Sequence, residues 1–246
     1  MTVQTHNGLV EDPTSLAESI LEHIADAVIY ADGTGAIEPW LTIEGIVLLP
    51  PGRWTPDGKE MFFSYGTQAN IRVGLLSNER GSDGKRAWRP WLDRDGKAGA
   101  VNISPDSRWV AYQSFDSGKY EVYLERFPDL GERQPISGEV GGINPFWSRD
   151  GRELFYRRLG DAAMMQVPIQ TSPTLRVGTP QKLFDADAYL SRPPERGGGA
   201  VRNWDLAPDG RFLMLKPVAG DSDSAMDGFI HVQNWSQELE RLIPTR

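Results

Sequence analysis

The stretch Trp147-Ser-Arg-Asp-Gly-Arg-Glu-Leu-Phe-Tyr156 decides the fold, because its pattern occurs four times along the chain. The other copies are Trp54–Phe63, Ile103–Tyr112 and Leu206–Leu215. In each copy an apolar residue precedes a turn that contains an aspartate, and an aromatic or aliphatic segment follows it. Aspartate accepts hydrogen bonds from backbone N–H groups just ahead of it, and the glycine of three copies adopts positive φ easily. Each copy therefore predicts a strand, a tight turn and a second strand.

The spacing of the four turns predicts the architecture. The turn aspartates Asp57, Asp106, Asp150 and Asp209 are 49, 44 and 59 residues apart, a period typical of propeller or solenoid arrays. Further strands are predicted at regular distances after the turns, at Ile71–Leu76, Ala87–Leu92, Tyr120–Phe127, Arg133–Ser137, Met164–Ile169, Gln181–Phe184 and Phe229–Val232. Four strands and a return connection make one blade. We therefore predict an all-β β-propeller of about four four-stranded blades, as an open or incomplete ring.

The first 41 residues differ from the rest and predict a separate N-terminal segment. Residues 1–52 contain eight acidic residues and neither Lys nor Arg, so the net charge of −8 belongs to this end of the chain. Asp12-Pro13 with Ser15 and Glu18 forms a capping box that predicts a short helix. Segments 27–31 and 36–38 predict a hairpin after it. The domain division is thus 1–41 for the helix and hairpin, and 42–246 for the blades.

Composition excludes several classes of function. The sequence has no cysteine, so disulfides and zinc–thiolate sites are impossible. Residues 53–246 carry equal numbers of acidic and basic side chains, which disfavours nucleic-acid binding. The three histidines, His6, His23 and His231, have no metal-ligand spacing, and we predict neither a metal nor another cofactor. No apolar run approaches the roughly 20 residues of a membrane span, and no secretory leader is visible.

The candidate binding residues lie just before the turns, where the innermost strands approach the propeller axis. Polar side chains that converge there can hold water, an ion or a polar ligand. The candidates are Arg53, Asn102, Asn144, Asn203 and Asp205. The alternative is that these side chains only satisfy backbone groups of nearby loops. The turn aspartates belong to different blades and are predicted to have a structural role, and no catalytic residue is predicted.

The repeats resemble a known family. Trp147–Tyr156, Ser117-Gly-Lys-Tyr-Glu-Val-Tyr123 and Val232-Gln-Asn-Trp235 are similar to the WD40-like (PD40, TolB-like) propeller repeats found in the C-terminal region of bacterial eukaryotic-like serine/threonine kinases. The resemblance implies a face that binds a protein or a small polar ligand. Residues 15–38 resemble the start of a PAS sensor domain, although the segment is too short to form its ligand pocket.

These observations predict a binding or scaffold module that is not an enzyme, such as the sensor or protein-interaction region of a TolB-like or kinase-associated protein. The alternative is a signalling fragment in which the N-terminal segment provides PAS-like dimerisation or input. Open blade edges would allow pairing with another chain. The sequence as it stands predicts a cytoplasmic protein, whereas related propellers are often extracytoplasmic.

Overall fold

β-Strands are the regular secondary structure of the described part of the chain, and no helix occurs within it. The structure is a computed structural model that describes residues 27–31, 37–43, 47–48, 53–67, 69–94, 96–187, 202, 204–207 and 209–214. The predicted helix before residue 27, the strand Phe229–Val232 and the candidate Asn203 lie outside these residues. The predicted N-terminal hairpin is present as β1 (Ala27–Ala31) and β2 (Ile37–Thr42), which pair antiparallel.

Three antiparallel sheets follow in chain order, each beginning with the strand before its turn. The first contains β3 (Val47–Leu48), β4 (Glu60–Gly66), β5 (Ile71–Arg80) and β6 (Arg86–Leu92). The second contains β7 (Ala98–Ile103), β8 (Trp109–Ser114), β9 (Glu121–Arg126) and β10 (Gln134–Pro135). The third contains β11 (Gly142–Trp147), β12 (Glu153–Arg158) and β13 (Met164–Gln170), with β14 (Arg176–Val177) and β15 (Gln181–Phe184) both paired to β13. The described strands of the fourth repeat are β16 (Trp204–Leu206) and β17 (Phe212–Met214).

The predicted all-β propeller is confirmed by this arrangement of repeated sheets packed face to face. One apolar cluster joins the first sheet to the second through Phe62, Trp91 and Val110. A second cluster joins the second and third sheets, and a third joins the third sheet to β16 and β17. Because the middle sheets are covered on both faces, β8 is buried along its whole length. Strand β3 pairs with β4, so it is the first strand of the first sheet.

A side-chain hydroxyl fixes the turn in each of the first three repeats. Ser148 Oγ donates to Asp150 Oδ1 at 2.7 Å and accepts from the backbone N–H of Glu153 at 2.9 Å. Asp150 Oδ1 also accepts from the N–H of Arg152 at 3.1 Å. Thr55 with Asp57, and Ser104 with Asp106, make the same bonds. The turn aspartates therefore have the structural role that the sequence predicts.

The fourth repeat lacks this hydroxyl and has a different register. Ala207 occupies the position of Ser148, and its N–H donates to the carbonyl of Arg211, one residue earlier than in the other turns. Asp205 consequently pairs with Leu213, whereas the equivalent Phe146 pairs with Phe155. A one-residue shift turns a strand's side chains to the opposite face. Leu213 is 68% exposed for this reason, although its counterpart Leu154 is fully buried.

The first sheet also differs from the later sheets on the face that precedes it in chain order, where the residue before the turn is less buried. The residue before the turn is buried in later repeats, as Ile103, Trp147 and Leu206, but Trp54 is 38% exposed. Trp40 from β2 meets the Trp54 ring edge-on at 5.7 Å between centroids. Trp40 also belongs to the apolar cluster on this sheet, together with Leu41 and Met61. Strand β2 of the N-terminal hairpin therefore covers part of the face that an adjacent blade covers in later repeats.

Replacing Ser148 by Ala should remove the donor to Asp150 and leave the N–H of Glu153 without its acceptor. We expect a loss of about 1–2 kcal/mol in the free energy of unfolding, measured by urea denaturation. Ser117→Ala is the matched control, because Ser117 is exposed and lies outside the four repeat turns; its hydroxyl contacts the carbonyl of Lys119 at 3.4 Å and the side chain of Glu121. Equal stability of the two variants would contradict the role given to the hydroxyl.

Candidate functional site

Equivalent positions of three repeats meet in one place. The residue four positions before the turn aspartate is Arg53, Asn102, Phe146 or Asp205 in successive repeats. The guanidinium carbon of Arg53 lies 4.4 Å from the centre of the Phe146 ring, and Arg53 Nη2 lies 3.8 Å from Asp205 Oδ1. The innermost segments of the first, third and fourth repeats thus bring these side chains together, as their approach to a common axis predicts.

Arg202 is the second cation of this group. Its guanidinium carbon lies 4.0 Å from the centre of the Phe146 ring and 5.5 Å from the centre of the Trp204 ring. Arg202 Nη2 also donates to Asp205 Oδ1 at 3.4 Å. Phe146 and Trp204 are buried and pack edge to face, so they provide a rigid apolar support for both arginines. We call Arg53, Phe146, Arg202, Trp204 and Asp205 the axial arginine site.

The charges of the axial arginine site are not balanced. Arg53 and Arg202 share one oxygen of Asp205, which leaves two cations for one carboxylate among these residues. Burial lowers the pKa of Arg53, and burial together with the neighbouring Arg53 lowers the pKa of Arg202 to about 10, while Asp205 acts in the opposite direction. Both guanidinium groups are protonated at neutral pH. A ligand carrying negative charge would relieve the repulsion between them.

Asp205 is held in place by the backbone as well as by the arginines. The N–H of Leu206 donates to Asp205 Oδ1 at 2.9 Å, which is shorter than either arginine contact to the same oxygen. The side chain of Asp205 is nevertheless 59% exposed, and the side chain of Arg53 is 41% exposed. Solvent therefore reaches the charged groups, whereas the rings of Phe146 and Trp204 are buried.

The other predicted candidates make different contacts. Asn102 is buried, and its Oδ1 accepts from the backbone N–H of Trp147 at 2.8 Å. The backbone N–H of Asn144 donates to Gln113 Oε1 at 2.9 Å. Both bonds connect the second sheet to the third, and the buried side-chain Oδ1 of Asn144 has no hydrogen-bond partner among the described residues. Asn144 has a φ of 55° at an irregularity of β11, a conformation that asparagine tolerates better than most residues.

A buried carboxylate in the second sheet, that of Glu125, is bound by two side chains of the protein. Glu125 is fully buried and accepts from the hydroxyl of Tyr112 at 2.6 Å. Arg94 donates to both oxygens of Glu125, at 2.6 and 3.2 Å. Burial, and then the bond to Glu125, raises the pKa of Tyr112. Because Arg94 follows β6, this group ties the connection from the first sheet to the second sheet.

Metal ligands and membrane-spanning helices are not features of the described residues. Nowhere among them do three or more histidine, aspartate or glutamate side chains gather closely enough to hold a metal ion. The same part of the chain contains no helix of the length and apolarity that a bilayer requires.

Several solved structures share this fold. TolB from Acinetobacter baumannii matches with a TM-score of 0.58 and 18% identity, over 81% of this chain and 46% of that one. The periplasmic gluconolactonase of Pseudomonas aeruginosa matches with a TM-score of 0.52 and 18% identity, over 76% of this chain and 56% of that one. A putative 6-phosphogluconolactonase from Bacteroides fragilis matches with a TM-score of 0.50 and 19% identity, over the same shares.

These similarities establish the fold and its likeness to TolB-type propellers. The chain spans about half the length of the structures it matches. No protein-family model and no curated protein matches the sequence. Identities below 25% leave the function of this chain to be argued from its own residues.

The predicted non-catalytic scaffold module, with a PAS-like signalling fragment as its alternative, is wrong. Lactonases are among the proteins that share the architecture, so a propeller without a recognised catalytic motif does not imply absence of enzymatic activity. Kinase association and the resemblance of residues 15–38 to a PAS domain stay predictions, because no similar structure bears on them.

Sequence reasoning found two members of the axial arginine site and missed the rest. Arg53 and Asp205 were selected because they precede a turn. Phe146 occupies the equivalent position in the third repeat, but an apolar residue does not suggest a binding role. Arg202 was not among the candidates. Alignment of the four repeats would have indicated Phe146, whereas the contacts of Arg202 depend on how the repeats pack.

Replacing Asn102 by Ala should destabilise the protein, because the bond to Trp147 joins the second sheet to the third. The N–H of Trp147 would be left buried without an acceptor, which costs about 1–3 kcal/mol of unfolding free energy. Asn78→Ala is the matched control, because Asn78 is exposed and donates only to the carbonyl of Gly58. Chemical denaturation of both variants measures the difference. A stable Asn102→Ala protein would show that the bond to Trp147 does not hold the sheets together.

Proposed function

We propose that this propeller segment binds a small polar ligand through an anionic group at the axial arginine site. The observation that carries the proposal is the convergence of Arg53 and Arg202 on the Phe146 ring, where both contact one oxygen of Asp205. Guanidinium groups donate paired hydrogen bonds that match the geometry of carboxylate and phosphate. An aromatic surface beneath them restricts their orientations before a ligand arrives.

The class of ligand in this proposal is a sugar acid, the product of lactone hydrolysis. Two of the similar structures are a gluconolactonase and a putative 6-phosphogluconolactonase, which supports this choice as the first to test. A sugar acid offers an anionic group for the arginines and hydroxyl groups for the polar rim of such a site. An extracytoplasmic site of action belongs to the same proposal, since the gluconolactonase is periplasmic.

Replacing Arg202 by Met should weaken gluconate binding about tenfold or more, because a charge-assisted hydrogen bond is lost while much of the side-chain volume stays. Isothermal titration calorimetry measures the affinity of the purified chain and of its variants. Arg53→Met should act in the same direction.

Arg211→Met is the matched control for the arginine variants. Arg211 lies in the same repeat, is 83% exposed and pairs with Asp209. Its loss should leave the affinity unchanged. Absence of gluconate binding by the unaltered chain, or binding that Arg202→Met does not reduce, would refute the proposed function. Hydrolysis of gluconolactone, followed by release of acid with the same variants, tests whether the site also forms the acid that it binds.

A further inference from the structure

The position of Asp205 carries a further inference, which rests on the proposed function. Asp205 is the negative charge that the structure places against both arginines of the site. A mobile carboxylate could leave when a ligand enters. Asp205 Oδ1, however, accepts from the N–H of Leu206 in the adjacent peptide, so its charge is tied to the backbone of β16.

The fixed carboxylate limits the charge that the site can accept. Arg53 and Arg202 contribute two positive charges and Asp205 contributes one negative charge. One negative charge on the ligand is therefore enough to neutralise these three side chains. A second negative charge on the ligand would face Asp205 at close range. Repulsion between like charges at such distances is substantial in a partly buried site, where screening is weaker than in water.

We propose that Asp205 is the specificity-determining residue of the axial arginine site, and that it selects a monoanionic carboxylate over a phosphate dianion. The favoured ligands are then unphosphorylated sugar acids. Phosphorylated sugars, whose phosphate carries nearly two negative charges above pH 7, are discriminated against. Phe146 and Trp204 do not contribute to this choice, because they bear no charge.

The test compares three six-carbon sugars of different charge at pH 8. Glucose is neutral, gluconate has one negative charge and glucose 6-phosphate has close to two. Calorimetry on the unaltered chain should give the highest affinity for gluconate. Asp205→Asn should then raise the affinity for glucose 6-phosphate about tenfold more than it raises the affinity for gluconate, because it removes one charge at short range. Asparagine keeps an oxygen acceptor for the N–H of Leu206 and so preserves the local geometry.

Asp209→Asn is the matched control for this variant. Asp209 lies in the same hairpin and pairs with Arg211, so its replacement removes the same charge from the same repeat without touching the site. The ratio of the two affinities should stay as in the unaltered chain. A similar change in ratio for both variants would indicate a general effect of net charge and overturn the inference.

A second measurement needs only the unaltered protein. The second proton of a phosphate monoester dissociates near pH 6, so glucose 6-phosphate passes from a monoanion to a dianion between pH 5 and pH 8. The charged groups that face it in the axial arginine site are Arg53, Arg202 and Asp205. We expect its affinity to fall over this range while that of gluconate stays level. A site without a selecting carboxylate would bind the dianion more tightly, and that result would overturn the inference.

The two proposals fail in different ways. If gluconate does not bind, or binds independently of Arg202, the proposed function fails. If gluconate binding depends on Arg202 but the preference for carboxylate is unaffected by Asp205→Asn, only the role of Asp205 fails.

Discussion

The hydroxyl–carboxylate pair in the turn between the first two strands of a blade is the interaction on which the rest of the structure depends. Ser148 and Asp150 make it in the third repeat, and the hydroxyl also receives the backbone N–H of Glu153. These bonds determine how many residues separate the paired strands. Strand register in turn decides which side chains face the neighbouring sheet. The fourth repeat illustrates the dependence, because Ala207 supplies no hydroxyl and Leu213 is exposed.

Because the register of the paired strands turns apolar side chains toward the neighbouring sheet, the sheets can pack face to face. Val110 and Leu154 occupy equivalent positions of the second and third repeats, and each is fully buried against the preceding sheet. Polar side chains complete the connection, since Asn102 and Gln113 of the second sheet accept backbone N–H groups of β11. Buried backbone donors in an irregular strand need such acceptors. These bonds hold β11 in the position that presents Phe146 to Arg53 and Arg202.

The axial arginine site therefore depends both on the repeated backbone structure and on the side chains that differ between repeats. Three of its members, Arg53, Phe146 and Asp205, occupy the same position of different repeats. The side chains at this position differ in kind across the four repeats: a cation, an amide, an aromatic ring and a carboxylate. An exact repeat would place four identical groups around the axis. Divergence at this position brings Arg53 and Asp205 together over Phe146, while the turns that support them stay nearly unchanged.

The sequence alone determined the strands, their turns and the all-β propeller, because these depend on residues close together in the chain. The segment Gln181–Phe184, for example, was predicted with the bounds that β15 has. Only the tertiary structure decided that Arg202 joins Arg53, that Asn102 serves β11, and that the fourth turn closes one residue earlier. Those features depend on which distant residues become neighbours when sheets pack, and local patterns contain no information about that choice. Contacts between the first and last repeats arise only once the intervening sheets are in place.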